Sequence, residues 1–186
     1  ENVENIKLYQ ENDLFTLVPE ELFDEKEKKT YLKYITKVKK TDFISNDNIE
    51  ELKIKNVYIP YVNINNFLVD IFKNIDYYHF NSILIKKVFH IKNDKSFFAY
   101  VDNNKLKIII FNKDELIFFN SYEIESETDI IYFLLLSIKE KGLEIKETQI
   151  NFILDKKNDL LLEIADKFFD NFEIINNKKI DFIYSE

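Results

Sequence analysis

The chain has 186 residues, 46% hydrophobic and 16% aromatic, with a net charge of −8 and no cysteine. That length builds one large domain or two small ones around a Phe-, Tyr- and Ile-rich core; the acidic balance excludes a general nucleic-acid binder, and the missing thiols exclude disulfides, thiolate catalysis and cysteine metal sites. A single glycine, Gly142, and basic residues that are all lysine exclude the glycine-rich phosphate loops and the two-handed guanidinium grip on phosphate.

Abundant Ile, Lys, Asn, Phe and Tyr beside only two alanines, Ala99 and Ala165, is the pattern an AT-rich genome imposes. Such bias contributes to the glycine shortage, but it does not usually erase a glycine that catalysis requires. No apolar run approaches the roughly 18 residues of a membrane span, and no signal peptide is visible. A cytoplasmic protein is expected. The chain starts at Glu1 and contains no methionine, which is expected of a fragment, a processed form or a trimmed chain.

In chain order, Ile6–Tyr9 and Phe15–Val18 read as short strands joined by the polar stretch Gln10–Asp13. Pro19 opens a turn or helix, and Glu20 and Glu21 suit a helix N-terminus. Asp24–Val38 reads as a helix with Tyr31, Leu32, Ile35 and Val38 on one face. Its lysines 26, 28, 29 and 33 alternate with Glu25 and Glu27, as on a solvated surface. Phe43–Ser45 and Val57–Tyr61 read as strands. Ile64, Phe67, Leu68, Ile71 and Phe72 then recur at the spacing of an amphipathic helix. A strand near Asp76–Tyr78 and a helix over Asn81–Phe89 follow, and the charged Lys92–Lys95 marks the expected boundary between lobes 1–92 and 93–186.

The second half is more regular. Phe97–Val101, Leu106–Phe111 and Leu116–Tyr122 predict an antiparallel meander, with turns at Asp102–Lys105 and Asn112–Glu115. Ser126 and Asp129 resemble a capping box opening a helix that runs to Lys141, and Gly142 stands where that helix would end in left-handed geometry. Gln149–Leu154 reads as a strand, Asp159–Asp170 as a helix, Phe172–Ile175 as a strand, and Ile180–Tyr184 as an edge strand or tail. The order βββαβαβ is that of the ribonuclease H-like fold, which actin-like ATPases use twice. The expected class is α/β (α+β) with a mixed sheet.

The segment Phe15-Thr-Leu-Val-Pro-Glu-Glu-Leu-Phe-Asp24 resembles the signature of a Bacteroidetes family catalogued as domain of unknown function 3822. The run Phe97–Tyr122, the helix after it and Ile150–Leu154 resemble the rest of that family in order and spacing. The resemblance implies an actin-like ATPase fold with two ribonuclease H-like halves, the first lacking its N-terminal strands here. It implies no assigned activity.

Actin-like ATPases place an Asp at the end of a first strand, before a glycine-bearing loop. The matching position is Asp102, followed by Asn103, Asn104 and Lys105, with no glycine. The second nucleotide loop would be Asp155-Lys156-Lys157-Asn158, again without glycine. The degenerate loops predict a pseudo-ATPase acting as a scaffold or interaction module, without cofactor or catalytic residue and with an unidentified protein partner. One alternative is an enzyme holding a divalent cation on Asp102 and Asp155, helped by Glu123 or Asp129. Another is nucleotide binding without hydrolysis through Lys105, Lys156 and Lys157. The candidate interaction surface is Phe15, Pro19, Glu20, Glu21 and Asp24. Its structural counterpart is a strand–helix junction whose Leu17, Leu22 and Phe23 enter the core. His79 and His90, eleven apart, lack a metal spacing on one helix, and His79 is placed to cap a helix or bond locally.

Overall fold

The computed structural model describes residues 6–72, 74–154 and 156–176. The chain divides into two compact units, Glu1–Lys86 and Lys87–Glu186. The division falls inside one helix, so each unit is described separately.

In the first unit, β1 (Ile6–Gln10) and β2 (Phe15–Pro19) form where strands are predicted. A 3-10 turn over Glu20–Leu22 follows Pro19, and a second over Glu25–Glu27 is capped by the Asp24 carboxylate, which accepts from the Lys26 N–H at 2.9 Å. The helix expected over Asp24–Val38 is only α1 (Lys28–Leu32). Leu32 is buried, but Tyr34 and Ile35 are exposed, so no apolar stripe extends the helix, and the β-branched pair Ile35-Thr36 disfavours it locally. The strand expected at Phe43–Ser45 lies further on, as β3 (Ser45–Ile49); it pairs antiparallel with β4 (Ile54–Tyr58), which also pairs antiparallel with β2. Helix α2 (Val62–Ile71) precedes β5 (Ile75–His79), which pairs parallel with β1. Helix α3 (Phe80–Ile91) follows directly. Val18, Leu32, Ile44 and Val57 form a small core that Phe23, Tyr31, Val38 and Ile59 close.

Sequence periodicity misleads most at α2. The apolar stripe is present, but Ile64, Phe67 and Ile71 are 49%, 64% and 56% exposed, while the buried residue is Asn65. The Gln10 side chain explains the inversion. Its amide N–H donates to the Asn65 side-chain oxygen, and its own oxygen accepts from the Tyr61 N–H at 2.9 Å. A polar clamp therefore seats the helix, and its apolar face points outward.

The second unit follows the expected order. β6 (Lys95–Asp102), β7 (Lys105–Asn112) and β8 (Glu115–Glu123) form the meander; α4 (Glu127–Glu140), β9 (Ile150–Leu154), α5 (Asp159–Ala165) and β10 (Phe172–Asn176) complete it. The sheet order is β10-β9-β6-β7-β8, with β9 parallel to β6 and β10 parallel to β9. This is the mixed sheet of a ribonuclease H-like half. β6, β7 and β9 are buried on both faces, as central strands in such sheets are. On one face Phe97, Ala99, Leu106, Ile108 and Phe152 meet Ile130, Leu134 and Ile138 of α4 and Leu161 and Ala165 of α5. Phe169 is buried and Phe168 is 50% exposed, while Phe118 packs at the core edge.

Candidate functional site

The parallel strands β6 and β9 end on the same side of the sheet, where α/β folds place their ligands. In the second unit a cleft of about 680 Å³ opens there. It is lined by the β6–β7 turn, the end of β8 and the first turn of α4, with Asn158 at its side. A smaller hollow of about 270 Å³ between Val101 and Lys156–Asp159 lies next to it.

The β6–β7 turn is two residues long, since Asp102 and Lys105 are register partners across the ladder. Asn103 takes φ 49°, the left-handed geometry usually left to glycine. Its side-chain amide donates to the Asp102 carboxylate at 3.0 Å. Where the fold could wrap an anion, this chain makes a tight hairpin. Lys113 does the same at the next hairpin, with φ 51°.

The N-terminus of α4 carries its own capping box. Ser126 caps it, and the Asp129 carboxylate accepts from the backbone N–H groups of Glu125 and Ser126, each at 2.9 Å. Those bonds hold the Asp129 carboxyl below the ordinary carboxylate range, the Glu125 N–H contributing most. The capping box is the one the sequence predicts. Glu123, Glu125 and Glu127 join Asp129 in the lining, which among the described residues contains no lysine and no glycine. Asn158 caps α5 by accepting from the Leu161 N–H at 2.9 Å, and its amide donates to Glu127 at 3.1 Å, tying the two helix starts together.

The candidate ligands fall out as follows. Asp155 lies outside the described residues. Asp102 sits at the end of β6 with its carboxylate turned to Asn103. Among the described residues, no group of three or more His, Asp or Glu side chains could hold a metal ion. Lys105 faces Asp102 across the ladder, Lys157 pairs with Asp159 at 2.7 Å, and exposed Lys156 lines the smaller hollow. The described structure therefore does not gather the three lysines around the main cleft.

The Phe15–Asp24 segment is a junction whose polar groups are used locally. Tyr31 donates its hydroxyl to the Leu22 carbonyl and accepts from the Asp24 N–H, both at 2.8 Å. Glu20 pairs with Lys55 at 3.0 Å, and Phe15 lies 4.9 Å from the His79 ring. Pro19 and Glu21 are exposed. Leu22 does not enter the core as expected: it is 66% exposed, because the 3-10 turn projects it outward while Phe23 packs on Tyr31.

A second constellation had no clear signal in the sequence. In the first unit the Asp47 carboxylate is buried; it accepts from the Tyr58 hydroxyl at 3.0 Å and the His79 N–H at 2.7 Å. Burial pushes its pKa up, while hydrogen bonds from Ser82, His79 and Tyr58 and the Lys86 charge oppose the shift. Burial first, then the Asp47 charge, pushes the Tyr58 phenol far above its usual range. His79 is wholly buried: Nδ1 accepts from the Asn81 N–H at 3.2 Å, so Nε2 carries the proton and donates to the Asn12 carbonyl at 3.1 Å. This is the local, helix-capping role the sequence allows it. The network joins β3, β4, β5 and the start of α3. Its members are spread from Asn12 to Ser82, and β3 itself (Ser-Asn-Asp-Asn-Ile) is too polar to announce a buried strand.

The family model "Protein of unknown function (DUF3822)" matches residues 1–172, and the chain belongs to that family. Among solved structures it is similar to a Bacteroides thetaiotaomicron VPI-5482 protein described as having an actin-like ATPase fold and unknown function. The TM-score is 0.81 at 20% identity, over 95% of this chain and 71% of that one. The likeness shows the fold: the actin-like ATPase architecture. No curated protein matches.

Proposed function

We propose that this DUF3822 chain is a non-catalytic, actin-like scaffold or protein-interaction module, a pseudo-ATPase that works in the cytoplasm. One observation carries the proposal: the cleft at the carboxyl ends of β6 and β9 is lined by Glu123, Glu125, Glu127 and Asp129. A nucleotide triphosphate brings about four negative charges, and like charges brought together in a cleft cost several kcal/mol. At the α4 N-terminus, whose partial positive charge could offset this, the chain's own Asp129 carboxylate already sits on the Glu125 and Ser126 N–H groups. The hairpin at Asn103 supplies no glycine cradle. No described helix is long and apolar enough to cross a membrane. Incubating the protein with Mg-ATP and following phosphate release tests the catalytic half of this proposal. Release at the buffer rate is expected, and turnover that scales with protein concentration overturns it.

A further inference from the structure

The lysines that open α1 follow a run of acids, but from there on the acids stop. Residues 28–40 hold six lysines and no acidic residue in a chain of net charge −8, so the rest of the chain is more acidic than the whole. Lys28 is matched by Glu25. Among the described residues no carboxylate pairs with Lys29, Lys33, Lys37, Lys39 or Lys40, and all five are exposed. The segment is fastened from within: Leu32 and Ile44 are buried with Val38 packed against them, and the Ile35 and Thr36 N–H groups both bond to the Leu32 carbonyl at 2.9 Å. The Lys29 ammonium donates to the Lys40 carbonyl at 3.1 Å, which brings the two ends of the lysine run together. With these points fixed, apolar side chains project among the lysines: Tyr34 is 87% exposed, and Ile35 and Phe43 are each 52% exposed.

We propose that this surface docks the protein on an anionic lipid bilayer, with the lysines against the headgroups and Tyr34, Ile35 and Phe43 at the boundary with the acyl chains. Charge complementarity requires an anionic partner, and the acidic remainder of the chain requires one that meets this face alone, as a planar surface does. The apolar side chains select lipid among anionic partners. At 87% exposure Tyr34 lines no groove, and a folded acidic protein would have to supply a pocket for each protruding side chain. The headgroup region takes up Tyr, Phe and Ile without one, while lysine stems lie along apolar surface and keep their ammonium groups at the phosphates. A single-stranded nucleic acid binds by stacking on aromatic platforms, and Ile35 offers no ring to stack on. The docking goes beyond the scaffold proposal and is independent of it: it stands whether or not the cleft binds nucleotide.

Co-sedimentation with sucrose-loaded vesicles at physiological ionic strength tests it. The chain should pellet with phosphatidylcholine vesicles containing about one third phosphatidylserine and stay in solution with phosphatidylcholine alone. Each lysine at such a surface contributes about fivefold to partitioning, so the triple variant Lys33→Gln, Lys37→Gln, Lys39→Gln should bind about a hundredfold more weakly. The matched triple Lys139→Gln, Lys146→Gln, Lys167→Gln, of exposed lysines in the second unit, should bind as the wild type does. Tyr34→Ser should weaken binding several-fold with unchanged circular dichroism. No pelleting with the anionic vesicles, equal pelleting with both kinds, or equal losses in the two triple variants would overturn the proposal. So would unchanged binding by Tyr34→Ser, or binding of polyglutamate or a single-stranded oligonucleotide as tight as that of the vesicles, which would assign the surface to an acidic protein or a nucleic acid.

Discussion

Asp47 is the residue at which charge and burial conflict most directly. Its carboxylate accepts from a hydroxyl on β4 and an N–H at the end of β5, yet burial raises its pKa. A folded pKa above the unfolded one means that the native state holds the proton more tightly. Asp47 therefore contributes stability that is complete below the unfolded value of about 4 and is lost as pH rises through the folded value. Asp47→Asn removes that dependence. Urea melts of the two proteins should show the variant gaining on the wild type as pH rises from acid toward neutral, and parallel pH profiles would refute the assignment. Gly142 makes the opposite kind of contribution, purely through the backbone. It sits at φ +61°, its N–H bonds to the Lys139 carbonyl, and Leu143 N–H bonds back to Ile138, closing a Schellman motif. A Cβ there would meet nothing within 4 Å, so Gly142→Ala should cost only the left-handed strain, about 1 kcal/mol, measurable as a shift in urea midpoint. That role was readable in the sequence, because a lone glycine after an amphipathic run has few other uses. The role of Asp47 was not, because its partners lie 11 to 35 positions away and no local pattern links them.

Among elements, the most legible are those whose signal is local. The meander β6–β8 reads from short apolar runs and two-residue turns, and α4 from its capping box. Asn158 is similarly local in its capping bond, but its bond to Glu127 is not. Asn158→Ala should destabilise the second unit by about 1 kcal/mol through loss of the α5 cap, read by thermal melting; an unchanged melting temperature would mean that α5 does not depend on it. Helix α2 shows the limit of periodicity. Apolar spacing fixes that a helix forms and which residues share a face, but not what that face meets. The deciding contact is Gln10 with Asn65, two polar residues 55 positions apart. In the candidate site, sequence locates the β6 end and the α4 cap. The acids Glu123, Glu125, Glu127 and Asp129 are neighbours in the sequence, but that they line a cleft is not legible there, because its other walls, the β6–β7 turn and Asn158, come from distant positions.

At the scale of the molecule, the chain keeps the actin-like ATPase architecture, and the stretches 102–105 and 155–158 contain no glycine. The glycine shortage, visible in composition, acquires a location at the Asn103 hairpin and the acid-lined cleft behind it. The proposed pseudo-ATPase receives no nucleotide in this cleft. Thermal unfolding with and without millimolar Mg-ATP tests it most directly. A ligand at a hundred times its dissociation constant adds about 2.7 kcal/mol, which for a chain of this size raises the melting temperature by roughly 5–10 °C. Superimposable curves are expected. A saturable rise of several degrees, specific to the nucleotide, would contradict it.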